Sequence, residues 1–308
     1  MPESLLNLIS TPVPVLNTLG LNLRVGLSSE DPMVGRHPSE PYTAYLSVYS
    51  PEGVLLDRSS LGEIPPERRR FFDISGATRS LVPEQDHLVV VHRVPSRLLP
   101  QVSSVEEELE LQSQPDYSLF RSLVEYSFPG GGNGSVIYET PPRFNADGAG
   151  PASSNTLTFT CQTVLSELLD THIILIHHSV SPHYSRIAHY SFAFHTLSGE
   201  RVFTDRVAIG PFAIKVLNIK QLIPQEIFER ERDPEDGLST FTFVGYSDDA
   251  ALLFVAVNTV PSLGAVAVEH THPPQTYLFP GEASQQRRVK LSAMESWKSI
   301  LSTEPGGK

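Results

Sequence analysis

Histidine is the residue type whose distribution asks for a chemical reason. Three of the 11 histidines, His37, His87 and His92, fall in the first half of the chain, while His172, His177, His178, His183, His189, His195, His270 and His272 fall in the second. The sharpest pattern is His270-Thr271-His272. On extended backbone, residues i and i+2 project to the same face, so both imidazoles could reach one divalent metal ion, and one or two further ligands would complete a site. His178 is the expected third ligand, with His177 and His189 the other choices by type. His177 and His178 are adjacent, so on a strand they point to opposite faces and cannot both hold one ion. His189 and His195 share a face with Ser191 and Ala193, but six residues at about 3.3 Å each set them roughly 20 Å apart, beyond one metal. A second reading of His-x-His is a turn leaving a strand, with the rings bonded to backbone or water; Pro273-Pro274 directly after it supports that chain exit.

Gly264, then His270 after five residues and His272 after one more, resembles the opening of the first cupin motif, with Pro273 to Glu282 as its continuation. That resemblance implies a metal-dependent enzyme built on the histidines of the second half. The sequence departs from the motif where the family places a glutamate ligand, because Gln275 or Thr276 stands there, and the residues after Gly281 read as helical. Nucleophilic chemistry has less to stand on. Gly-x-Ser-x-Gly is absent, and Cys161 sits in Thr158-Phe159-Thr160-Cys161-Gln162-Thr163, which reads as a half-buried strand with a packed thiol. Gly130 to Gly134 lacks the Lys-Ser/Thr ending of a phosphate loop and reads as a hairpin turn. Glu106 to Glu110 reads as a solvated acidic loop, and Arg68-Arg69-Arg70 as a solvated strand entry.

The elements that would carry these residues are short strands. Most apolar segments alternate, or run for five to eight residues between Pro, Gly, Ser, Asp or Asn. Tyr42 to Tyr49 reads as a strand, Ser50-Pro51-Glu52-Gly53 as its turn, and Val54-Leu55-Leu56 as the start of the return strand. In Ala188 to His195, Tyr190, Phe192 and Phe194 share the core side, opposite Ser191 and Ala193. One helix is expected, over Ser284 to Leu301, where Leu291, Met294, Trp297 and Leu301 recur at helical spacing. Ile64 to Asp73, followed by Val89 to Arg93, resembles the small β-sandwich domains of the sensory rhodopsin transducer kind, and the stretch has no functional motif.

Two stretches carry the same grammar in the same order. Tyr45 to Gly53 lines up with Ser191 to Gly199. Phe71-Phe72-Asp73-Ile74 lines up with Val216-Leu217-Asn218-Ile219, and Gly134 to Pro142 with Gly264 to Pro274. The expected fold is therefore all-β: two tandem, related antiparallel β-sandwich domains, Ig-like or jelly-roll-like, with a short C-terminal helix. The first covers residues 1–148 and the second 149–308, joined through the small, polar, Gly-rich Asn145 to Ser154.

Composition bounds the function. A net charge of -12 from 35 acidic and 23 basic residues argues against nucleic acid and anionic membranes as partners. One cysteine excludes an intramolecular disulfide framework, and the opening residues lack the basic and long apolar segments of an export signal, so the cytoplasm is expected. A duplicated sandwich with no convergent acid, base and nucleophile reads as a non-catalytic binding or assembly protein. Its partner would be a protein or a small ligand, homo-oligomers included, and no cofactor is expected unless the histidines hold a divalent metal; the alternative is the metal-dependent, cupin-like enzyme.

Overall fold

The computed structural model describes residues 9–28, 41–66, 68–96, 121–139, 156–178, 184–247, 249–250 and 252–270, and the single positions 288, 292, 295, 296 and 299. Sixteen strands follow one another: β1 (Ile9–Val15), β2 (Asn22–Ser28), β3 (Tyr42–Tyr49), β4 (Leu55–Ile64), β5 (Arg69–Asp73), β6 (His87–Pro95), β7 (Arg121–Ser127) and β8 (Asn133–Glu139), then β9 (Thr156–Leu165), β10 (Asp170–His177), β11 (Ala188–Thr196), β12 (Arg201–Ile209), β13 (Ala213–Asn218), β14 (Ser239–Ser247), β15 (Leu253–Val260) and β16 (Ala265–His270). Two short helices, α1 (Ile219–Leu222) and α2 (Gln225–Arg230), separate β13 from β14. Near the C-terminus, Arg288, Ser292, Glu295, Ser296 and Ser299 are helical and exposed. Leu291, Met294, Trp297, Leu301 and the 148/149 boundary lie outside the described residues.

The strands form four antiparallel sheets whose orders repeat. Adding eight to β1-β6-β3-β4 gives β9-β14-β11-β12, and adding eight to β5-β2-β7-β8 gives β13-β10-β15-β16; all four are observed. The chain is thus two tandem sandwiches of one topology. In each, only the third and fourth, and the seventh and eighth, strands are sequential neighbours within a sheet.

Local chemistry repeats with the topology. Gly53 and Gly199 close the third-to-fourth strand turn with φ of 93° and 90°, a left-handed conformation that glycine enters at little cost. Their N–H groups donate to Ser50 O and Thr196 O, and the hydroxyls of the same Ser50 and Thr196 accept from Val54 N and Glu200 N. A bulge follows Val48 in one copy and Phe194 in the other. Asp73 accepts from Gly76 N and Asn218 from Gln221 N, each three residues on, and the following Ile74 and Ile219 are both fully buried. Two of the aligned sequence blocks therefore hold residue for residue. The third slips: the ladders equate Ser135 with Val268, not with Ala265. The Pro-rich and Gly-rich words there matched turns of different length, so the strands behind them were aligned three residues out of step.

Each sandwich has its own interior. In the second, Tyr190, Phe192, Phe194, Phe241 and Phe243 are fully buried in an aromatic cluster, with the Phe194 and Phe243 ring centroids 5.1 Å apart. Ser191 is half-buried, so the phase expected for β11 holds. Ala193, on the Ser191 side, is nevertheless fully buried, beside Val244 in the next strand.

The two copies do not stand apart. Strand β10 alternates in destination rather than in polarity: Ile173 and Leu175 pack into the second sandwich, while Ile174 and Ile176 join Ile214, Val255 and Val257 in the cluster of the first. Sheet β13-β10-β15-β16 thus lies across β6 and β1 and reaches β8. A strand buried on both faces must be apolar throughout, and Ile173-Ile174-Leu175-Ile176 is. At the equivalent outward positions the first copy has Gly26, Ser28, Arg69 and Phe71, where the second has Ile174, Ile176, Ile214 and Val216.

Candidate functional site

Of the three residues expected to hold a metal, His270 and His178 are not brought together. His270 ends β16 in a row with Val255 and Ile174, whereas His178 lies four residues beyond Ile174 and two strands away. At about 3.3 Å per residue and about 4.8 Å per strand their Cα atoms are roughly 16 Å apart, more than two imidazoles on one ion span. His272 lies outside the described residues. Among the described residues no group of three or more His, Cys, Asp or Glu could hold a metal ion. His189 is instead paired with Asp249, Nδ1 to Oδ2 at 2.7 Å, on an exposed surface. Burial pushes the Asp249 carboxyl up, but bonds from the His189 backbone and ring and from Ser247 together hold it below the usual carboxylate value.

His177 and His178 do point to opposite sides, and both are buried. His177 Nδ1 lies 3.0 Å from Ile209 O and 2.9 Å from Gly210 O. Two carbonyls can only accept, so the proton sits on Nδ1, and Nε2 accepts from the Tyr184 hydroxyl at 3.3 Å. This histidine fixes the corner between β12 and β13. His178 faces the first copy, edge-on to Phe212 with ring centroids 6.0 Å apart, and Phe212 stacks on Tyr49 of the first copy at 5.1 Å and 11°. Close by, His92 Nε2 is 3.0 Å from Ser47 Oγ. Burial pushes both imidazoles down to about 3; for His92 the neighbouring His178 and Arg58 add to it, and for His178 the neighbouring His177 does. The joint therefore contains two neutral histidines, one from each copy.

That corner is strained into place. Phe212 has φ of 57°, in the left-handed region that bulky residues avoid, at a cost of order 1–2 kcal/mol. The Ser50–Gly53 turn of the first copy docks against it: a Cβ on Gly53 would overlap the Pro211 carbonyl oxygen. Ile214 N donates to Pro51 O across the joint at 3.1 Å. Glycine is thus needed twice at position 53, for its φ and for this approach. At Gly199 a Cβ would meet nothing within 4 Å.

Beside this contact the copies leave an open groove of about 570 Å³, lined by Pro51, Glu52, Gln85 and Asp86 from the first and by Ala208 to Gly210 and Ala213 to Val216 from the second. Among the described residues strand β13 is an edge, paired only with β10. Because Ile214 N points out to Pro51, alternation sends the Val216 N–H and C=O out as well, and among the described residues nothing bonds to them. Opposite, Glu52 accepts from Ser50 Oγ at 2.9 Å, and Asp86 takes the Thr18 backbone N–H at 3.0 Å and its hydroxyl at 2.7 Å. Sequence reasoning missed this site. Its signal was the continuous apolar run of β10, which marks a sheet covered on both sides and so a joint between copies.

No protein-family model matches this sequence, and neither does any curated protein. Among solved structures, a glycoside hydrolase family 2 β-glucuronidase aligns over 86% of this chain and 23% of its own, at 9% identity and a TM-score of 0.16. A Bacteroides uniformis β-glucuronidase aligns over 84% and 25%, at 7% identity and 0.18. The Ruminococcus gnavus β-glucuronidase aligns over 86% and 35%, at 12% identity and 0.15. The chain spans about a quarter to a third of the length of these structures, and at such scores nothing passes from them to it. Among the described residues no helix is long and apolar enough to cross a membrane.

Proposed function

We propose that this is a non-catalytic binding or assembly protein whose ligand, a protein or a small molecule, seats in the groove between the two copies. The observation that carries the reading is that this groove is walled by both copies and floored by a strand edge on which, among the described residues, the Val216 N–H and C=O have no partner. Concave sites at the meeting of two domains are where ligands preferentially bind. A chain with a single cysteine and a charge of -12 suits a reducing cytoplasm. The test is chemical-shift mapping on the full chain with a fragment library. Shifts clustered on the amides of 208–216 support the reading, and shifts clustered anywhere else, or stoichiometric metal in the purified protein together with silence in the groove, overturn it.

A further inference from the structure

We infer that the groove takes an extended peptide segment carrying a lysine or arginine, which adds as a strand to the free edge of β13. The inference rests on the groove reading and names its ligand class. The first rung of such a ladder already exists, because the Pro51 carbonyl, from the other copy, accepts from Ile214 N at 3.1 Å. An edge that pairs with one backbone carbonyl has the geometry to pair with the next, and the next outward residue is Val216, about 7 Å further along the strand. Strand addition draws affinity from main-chain bonds and specificity from the flanking walls.

The walls set the charge. Glu52 and Asp86 stand on one side and Lys215 on the other, so the charged side chains lining the groove sum to one negative charge. Asp86 is held in place by Thr18 without being neutralised, since both bonds come from neutral donors. A peptide side chain that alternates toward this wall is favoured when cationic and disfavoured when anionic. Lys215 is exposed and keeps the preference moderate.

The experiment measures binding of two blocked hexapeptides to the full chain, one alternating valine with lysine and one alternating valine with glutamate, with the amide of Val216 followed by NMR. The lysine peptide should bind about tenfold more tightly, and Glu52→Gln should cut that ratio about threefold, as expected for one partly exposed charge pair. Val216 N–H should move downfield and exchange more slowly with solvent in the complex. A lysine peptide N-methylated at every second residue should fail to bind the unaltered protein, a control that depends on no variant folding. The inference is overturned if the two hexapeptides bind equally, if the N-methylated one binds as well, or if Val216 is unmoved. Fragments in the groove with neither peptide binding would sink the peptide class and leave the groove standing; peptide shifts on β4 instead would sink both.

Discussion

Lowering the pH from 7 to 5 should weaken the joint between the copies through His92 and His178. Each imidazole drops from 6.5 to about 3 on folding, mainly by burial. Between those values the unfolded chain holds protons that the folded chain does not, so stability is full above about 6.5 and falls as the pH falls toward 3. Going from pH 7 to pH 5 the cost is about 2 kcal/mol for each group, or about 4 kcal/mol for the pair. That is a large part of the 5–15 kcal/mol by which a typical domain is stable. The window lies above the range in which most carboxylates titrate, so the histidines dominate it. His87, His172, His177 and His195 are displaced in the same direction, so the unaltered protein should lose more than the pair alone. Urea unfolding followed by circular dichroism, at each half unit of pH, isolates the pair by comparison with a His92→Gln, His178→Gln double variant, whose loss over the interval should be smaller by about 4 kcal/mol. An unaltered protein that loses under about 1 kcal/mol, or a double variant with an undiminished loss, would refute the reasoning.

Gly199→Ala should cost about 1 kcal/mol, the strain of a left-handed alanine, whereas Gly53→Ala should cost about 3 kcal/mol or more, because its methyl also meets the Pro211 carbonyl; thermal unfolding of the two variants compares them directly. Gly245→Ala should be more damaging still, since a Cβ there would overlap the Tyr190 ring and hydroxyl inside a core with no room to yield, and the readout is loss of cooperative unfolding. Ile174→Ala should cost about 3 kcal/mol even though its side chain lies outside the sandwich to which β10 belongs; a loss under about 1 kcal/mol in a urea titration would show that the joint is loosely packed.

Strand positions, turn chemistry and the existence of a duplication were legible because they are local: period-two alternation sets β3 and β11, and Gly53 and Gly199 announce the same turn. The phase of Tyr190, Phe192 and Phe194 follows from the same alternation. What stayed hidden depends on partners far away in the chain. Gly134 and Gly264 look alike, yet Gly134 lies inside β8 while Gly264 closes the turn before β16, and only the ladders reveal the offset. Ile173 to Ile176 announces a buried strand without saying that its two faces enter different cores. His178 was paired with His270 and His272 by residue type, which carries no information about distance. Glu52 reads only as part of a turn, and nothing local to it or to Asp86 says that the second copy is laid against them.

Apart from β8 and β16, which meet as counterparts, the surfaces at the joint are not the same surface. A β1-β6-β3-β4 sheet from one copy receives a β13-β10-β15-β16 sheet from the other, which is the counterpart of β5-β2-β7-β8. Such a contact is head-to-tail, and repeated between identical units it adds one unit after another, into a ring where its rotation closes and into an open filament where it does not. Four residues of the first copy stand against such repetition. Gly26, Ser28, Arg69 and a Phe71 ring packed over Gly26 stand where the second copy presents aliphatic groups, so the far side of the first copy lacks the aliphatic surface that the second copy brings to the joint. Giving that face the second copy's residues, Ser28→Ile with Arg69→Ile, should therefore turn a terminus into a growing end, visible as light scattering that rises with protein concentration.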